Sequence, residues 1–327
     1  MNNTTMNNKT IPNKIILVIL LGIVFLVLLF RLANISGVST NLTNNISIEH
    51  FNNVNINNTE NNQDKVAFLF LTRNNLKRLD IWEEFLKGDK TGNESRHSIY
   101  CHAKEPYAIT DKLLKENIIP EYMETCWGCI NVVEANIILM KNALKDPQNK
   151  KFMLVSESCA PIVSFNTFYN TIMKDDKSRV GIHKINSSPD RFNAIVNPEF
   201  KKEQFIKHSG QGCIFNRKHA QMLVDSLPKL ENWKTMSCVD EHYNGNILLT
   251  MDKDFDSNNS NIKTTFDIWQ KEDLNLSTIN DDDLQTDSYI LLKKVSNKAI
   301  DNMRSNGFLF IRKIDEHTIF DKNYIMN

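Results

Sequence analysis

The chain has 327 residues, and Lys plus Arg equals Asp plus Glu at 39 each, so its formal net charge is zero. That balance excludes a global field that would hold the protein on nucleic acid or an acidic surface; any anion it binds must be met by a few local cations. Asparagine is over-used, above all at Asn52–Asn62 and Asn258–Asn261, which reads as solvated loops rather than chemistry.

In chain order, the first feature is Ile15–Phe30, IILVILLGIVFLVLLF, with Leu32 and Ala33 continuing past Arg31. A bilayer core takes about 17–25 helical residues, and Arg31 can snorkel to make up the length. No convincing small-x-small cleavage site follows Leu32, which favours an uncleaved anchor over a signal peptide. Lys9 and Lys14 precede the span and only Arg31 follows it before Lys65, so the N-terminus is expected in the cytosol. The expected division is a cytosolic tail at 1–14, a signal-anchor helix at Ile15–Ala33, a disordered Asn-rich stem at 34–64, and a folded domain at 65–327. The folded domain then faces the lumen of the Golgi or an equivalent secretory membrane, or of a host membrane if the source is viral. Glycosylation sequons at Asn34, Asn41, Asn45, Asn57, Asn93, Asn186, Asn258 and Asn275 permit that side. The six cysteines permit disulfides there, with pairings left open.

Lys65–Leu71 (KVAFLFL), His97–Ala103 and Lys151–Val155 (KFMLV) are short continuous apolar runs, the pattern of strands covered on both faces. Between the last two, Ile130–Leu144 carries Val133, Ile137 and Met140 at helical spacing and stops at Asp146-Pro147. This order predicts an α/β fold with a mainly parallel sheet flanked by helices, and ligands at the carboxyl ends of the strands. Further strands are expected at Ser178–His183 and Gly212–Phe215, and helices at Arg217–Leu227, capped by Asn216, and Val239–Met251. Asp252–Asn261 reads as a surface insertion, and Gly307–Lys313 (GFLFIRK) as a final strand ending in two cations.

Carboxylates at the end of a buried strand would suit a hard divalent metal. Here KFMLV is followed by Ser156-Glu157-Ser158, with one carboxylate only. Asp-x-Asp occurs at Asp252–Asp256, but within the insertion, where a solvated loop is the simpler reading, as it is for Asp281–Asp283. Without a metal, an anionic leaving group needs fixed cations. Arg312 and Lys313 can supply them, or can simply mark a strand emerging into solvent. Asp240, Glu241 and His242 group two carboxylates and an imidazole at a predicted helix start, as a general base with its supports or as ordinary capping acids. Cys126-Trp127-Gly128-Cys129 has thioredoxin-like spacing, for which a local or long-range disulfide is the simpler reading. His208–Gly212 contains Ser209 and Gly210 but lacks the hydrolase elbow; its glycines suit close approach of backbone to a ligand.

Taken in order, VAFLFLTR (66–73), IWEEFLKG (81–88), SIYCHAKEP (98–106), Trp127-Gly128 with Val133-Glu134-Ala135, and FMLVSESCAPI (152–162) with FNTFYN resemble the core-2/I-branching β-1,6-N-acetylglucosaminyltransferase family (glycosyltransferase family 14), nearest its plant and protist branch. KHSGQGCIFNRKHA (207–220), CVDEHY (238–243), TFDIW (265–269) and FLFIRK (308–313) continue the series. The resemblance implies a GT-A-like fold, type II topology, and inverting transfer from a UDP-sugar to a hydroxyl of a glycan or glycoprotein acceptor, with no metal or other cofactor. N-acetylglucosamine is the expected sugar; xylose and glucuronic acid are used by related enzymes. The family's catalytic base falls on Glu241 and its diphosphate-binding cation on Lys313, with Arg312 or Arg304 as helper. Glu157, Ser158, Ser209, Gly210, Trp127 and Asp240 complete the expected pocket. Two rival readings are a membrane-tethered carbohydrate-binding protein without turnover and a lumenal thiol oxidoreductase using Cys126 and Cys129.

Overall fold

The computed structural model describes residues 63–89, 95–185, 189–255, 262–268, 284–286 and 291–321. The expected tail, anchor and most of the stem lie outside these residues, and no described helix is long and apolar enough to cross a membrane.

The strands, in chain order, are β1 (Lys65–Thr72), β2 (His97–Ala103), β3 (Asn149–Ser156), β4 (Ala160–Pro161), β5 (Ile182–Ile185), β6 (Ile206–His208), β7 (Ile214–Asn216), β8 (Thr265–Asp267), β9 (Leu284–Thr286), β10 (Leu292–Val295), β11 (Phe310–Arg312) and β12 (Ile319–Phe320). The helices of two turns or more are α1 (Leu79–Lys87), α2 (Ile130–Ala143), α3 (Phe165–Met173), α4 (Arg217–Asp225), α5 (Tyr243–Met251) and α6 (Asn297–Ser305).

The central sheet has the order β2-β1-β3-β7, with β1 parallel to both neighbours and β7 antiparallel to β3. Side chains alternate between its faces, as strand geometry requires. Val66, Phe68 and Phe70 pack with Trp82 and Phe85 of α1 and Phe165 and Phe168 of α3. Ala67 and Leu69 pack on the other face with Val133, Ile137 and Met140 of α2, Leu223 of α4 and Leu248 of α5. The architecture is therefore mixed α/β, with helices on both faces of the sheet, which explains why β1 reads as a continuous apolar run.

A second sheet, β4-β11-β8, carries the strand that ends in Arg312: β11 runs antiparallel to β4 and parallel to β8. Phe310 of β11 reaches back into the aromatic cluster, 5.7 Å from the Trp82 ring and 5.3 Å from Phe168. Trp82 also donates its indole N–H to the Cys159 carbonyl at 2.9 Å. A third sheet has the order β12-β10-β9, and β5 pairs with β6.

Four elements differ from expectation. The strand expected at Ser178–His183 lies at Ile182–Ile185, with Arg179 making only a bridge to Ile214. Helix α4 is capped by Asn216, whose side chain accepts from the His219 N–H at 2.8 Å. It ends at Asp225, and Leu227–Trp233 continues as a 3-10 helix because Pro228 has no N–H for an α-helical bond. The helix expected from Val239 is two pieces, a 3-10 turn at Val239–Glu241 and then α5, separated by His242 in a non-helical conformation. The final strand begins only at Phe310, because Gly307, at φ 84°, terminates α6 in the left-handed region that glycine tolerates.

Candidate active site

At the carboxyl end of β3 the chain turns through Ser156, Glu157 and Ser158, and these residues form one wall of a cleft of about 300 Å³. The turn is held from two sides: Lys77 N–H donates to the Glu157 carbonyl at 3.0 Å, and Ile314 N–H to the Ser158 carbonyl at 3.0 Å. The second bond brings the end of β11 alongside, so Arg312 and Lys313 line the cleft opposite the 3-10 turn that carries Asp240 and Glu241. Trp127 and Gly128 form its mouth. Cys126 and Cys129 are joined in a local disulfide that brackets Trp127, whose ring is 84% exposed.

Gly210 faces the acidic pair across the cleft. A methyl group at this position would sit 2.8 Å from Asp240 Oδ2 and 3.5 Å from Glu241 Cγ, so the absence of a side chain lets the pair approach this closely.

The cleft carries charges of both signs. Glu241 is mostly buried, with 13% of its side chain exposed, and its Oε2 pairs with Arg191 at 3.3 Å and Lys207 at 3.2 Å. Burial pushes the Asp240 carboxyl above its ordinary range, and the neighbouring Glu241 charge adds to this, while Arg312 opposes it. On β11's side of the cleft, burial and then the Arg312 charge lower the Lys313 ammonium. The Arg312 Nε is buried without a hydrogen-bond partner among the described residues, in a cleft wall where an anion could satisfy it. No group of three or more His, Cys, Asp or Glu side chains suited to a metal occurs among the described residues.

Of the residues singled out from sequence, Glu241, Asp240, Arg312, Lys313, Glu157, Ser158, Gly210 and Trp127 line this one cleft. Ser209 does not: it is buried, and its hydroxyl faces the Gly181 carbonyl at 3.5 Å. Arg304 does not either. Its guanidinium holds the Ile162 carbonyl at 2.5 Å and Asp301 at 3.1 Å, contacts that tie α6 to the chain after β4. His242 follows Glu241 in sequence but turns into the core, stacked on Phe205 at 5.0 Å. Burial lowers it to about 3, so it is a neutral structural group.

Arg191 and Lys207 escape the sequence reading. Arg191 sits in a single-turn helix, Pro189–Asn193, too short to show periodicity. Lys207 lies on the three-residue strand β6, directly before the glycine segment, and that position was the available signal.

The chain is 30% identical over 210 residues to glycosyltransferase BC10 of Oryza sativa subsp. japonica, an alignment that covers 55% of this chain and 51% of the relative. The chain thus matches about half the length of that curated relative. A family model, Core-2/I-Branching enzyme, matches residues 66–304, which takes in both sides of the Glu241 turn and stops before Arg312 and Lys313. That span is well over half of the sequence, and the chain belongs to the Core-2/I-Branching enzyme family.

Proposed function

We propose that this protein is an inverting glycosyltransferase that moves a sugar, N-acetylglucosamine in the first instance, from a UDP-sugar to a hydroxyl of a glycan acceptor without a metal ion. The observation that carries the reading is a single cleft lined both by a mostly buried carboxylate, Glu241, and by two adjacent cations, Arg312 and Lys313. Glu241 removes the proton of the acceptor hydroxyl as its oxygen attacks the anomeric carbon, and the bond from that carbon to the diphosphate oxygen breaks on the opposite side. Lys313 and Arg312 take up the charge that grows on the departing UDP, a stabilisation strongest in a water-poor site. Asp240 lines the same cleft beside Glu241.

The test is Glu241→Gln assayed against a panel of UDP-sugars with and without EDTA. Loss of the base is expected to lower kcat by about 10²–10⁴-fold with donor affinity kept, and chelation to leave the wild type active. Retention of most activity by Glu241→Gln would remove the assigned base. Silencing by EDTA with rescue by manganese would remove the metal-free mechanism.

We further propose that the protein is a type II membrane protein, anchored through Ile15–Ala33 with the cleft in a secretory lumen. The apolar run and the lysines that precede it support this reading.

A further inference from the structure

Every exposed aromatic ring among the described residues lies on one stretch of chain between β2 and α2. Tyr107 is 102% exposed, Tyr122 58% and Trp127 84%. Large apolar rings exposed on one stretch of chain, while the other described Phe, Tyr and Trp residues are buried or half-buried, mark a candidate binding face. Trp127 stands at the mouth of the Glu241 cleft, in a loop fixed by its bracketing disulfide. Tyr107 and Tyr122 border a second depression, of about 470 Å³, within the range of small-ligand sites.

The two cavities are neighbours. Leu71 of β1 pairs with His102 on one side and with Ser156 on the other, so a residue of the depression and a residue of the cleft lie at the same level of the sheet. They are two strand spacings apart, about 10 Å. Tyr122 and Trp127 are joined by a chain that spans at most about 17 Å.

His102 supplies a second, independent observation. It is 1% exposed, lines the depression and lies flat under the Tyr122 ring, with centroids 5.9 Å apart and planes 4° from parallel. Its Nε2 accepts the Met123 N–H at 3.2 Å, so the neutral ring carries its proton on Nδ1. That Nδ1 has no hydrogen-bond partner among the described residues. A buried unsatisfied donor is costly, and a hydroxyl ligand entering as Tyr122 shifts would satisfy it.

We propose that the Tyr107–Tyr122 depression is a remote acceptor subsite that holds sugar residues of an oligosaccharide whose reacting hydroxyl lies in the Glu241 cleft. The proposal rests on the transferase reading above. Pyranose rings offer an apolar C–H face to aromatic rings and hydroxyls at their edges, and Lys115 and His102, which line the same depression, supply polar groups for those edges. Trp127 then lies on the path between the two sites. The acceptor is accordingly an oligosaccharide chain and not a single sugar.

The experiment uses the full chain in detergent. Binding is surveyed on an array of defined mono- to hexasaccharides, and the strongest ligand and its truncations are then titrated against wild type and Tyr107→Ala/Tyr122→Ala. Both tyrosines are exposed, so the variant should keep its melting temperature and its slow hydrolysis of a UDP-sugar. Affinity is expected to rise with chain length in the wild type, and the variant to lose about tenfold for the longer ligands and nothing for the monosaccharide. Affinity independent of length, an unaffected variant, no glycan bound at all, or displacement of the bound glycan by uridine would each overturn the subsite. Failure of the transferase reading would show separately, as absence of UDP-sugar hydrolysis.

Discussion

Glu241 shares one carboxylate oxygen between Arg191 and Lys207, and the pairing sets the terms on which it can work as a base. The two contacts fix where the carboxylate points. Replacing Lys207 by Met removes one of them and is expected to lower kcat while leaving donor KM nearly unchanged. Wild-type kcat in that variant would mean that Lys207 does not position Glu241. Asp252 lies at the start of the expected surface insertion, yet it is 7% exposed and holds Lys218 Nζ and His219 Nε2, each at 2.8 Å. His219 Nδ1 in turn meets the Ser178 hydroxyl at 2.6 Å. The chain of serine, histidine and aspartate has the look of a nucleophilic triad, but Ser178 is 1% exposed and its oxygen already accepts the Asn216 N–H at 3.0 Å. Its role is to join α4 to the turn after α5. The Lys218 hydrogen bond, with His219 behind it, lowers Asp252 from 3.8 to about 2. The stability this contributes is complete above the ordinary value and is lost as pH falls through about 2. Asp252→Asn should therefore cost about 1–3 kcal/mol at neutral pH, read as a lower melting temperature, and the gap from wild type should close toward pH 2. An equal gap at both ends of that range would separate the effect from the carboxylate charge.

At the scale of elements, β1 and β3 are legible because both of their faces are covered, and burial writes a continuous apolar run into the sequence. Helix α4 is legible from its cap. The turn that carries Glu241 is not, because the same short-range residues serve a 3-10 turn or the first turn of an α-helix, and buried His242 decides between them. Arg304 is hard to place for a related reason: in sequence one cation near the chain end is chemically as suitable as another, and only the structure shows its contact with the Ile162 carbonyl. The glycine segment before β7 was readable as a place of close approach, though what approaches is the chain's own Asp240. Gly210→Ala places a methyl against that carboxylate, and the backbone there has no need of glycine's left-handed region. The variant is expected to fold with a nearly unchanged melting temperature and to lose kcat far more than donor affinity. Full activity would show that the acidic pair can move aside.

For the whole molecule, the sequence reads well where local pattern and tertiary burial agree, and poorly where separate segments meet. The cleft draws on five regions between residues 127 and 313, and only the family resemblance ordered them in advance. The proposed anchorage makes its own prediction at this scale. In sealed microsomes the folded domain should resist added protease until detergent is present, and glycosidase treatment should increase its gel mobility; digestion without detergent would place the cleft on the cytosolic side. Trp82 has a wider reach than its position in the core suggests. It holds the turn after β3 through the Cys159 carbonyl and packs against Phe310 on the strand that ends in Arg312 and Lys313. In a saturation-mutagenesis screen scored by catalytic output, Trp82 and Phe310 would therefore register among the most sensitive positions although neither lines the cleft, and hit lists from such a screen would overstate the size of the substrate footprint.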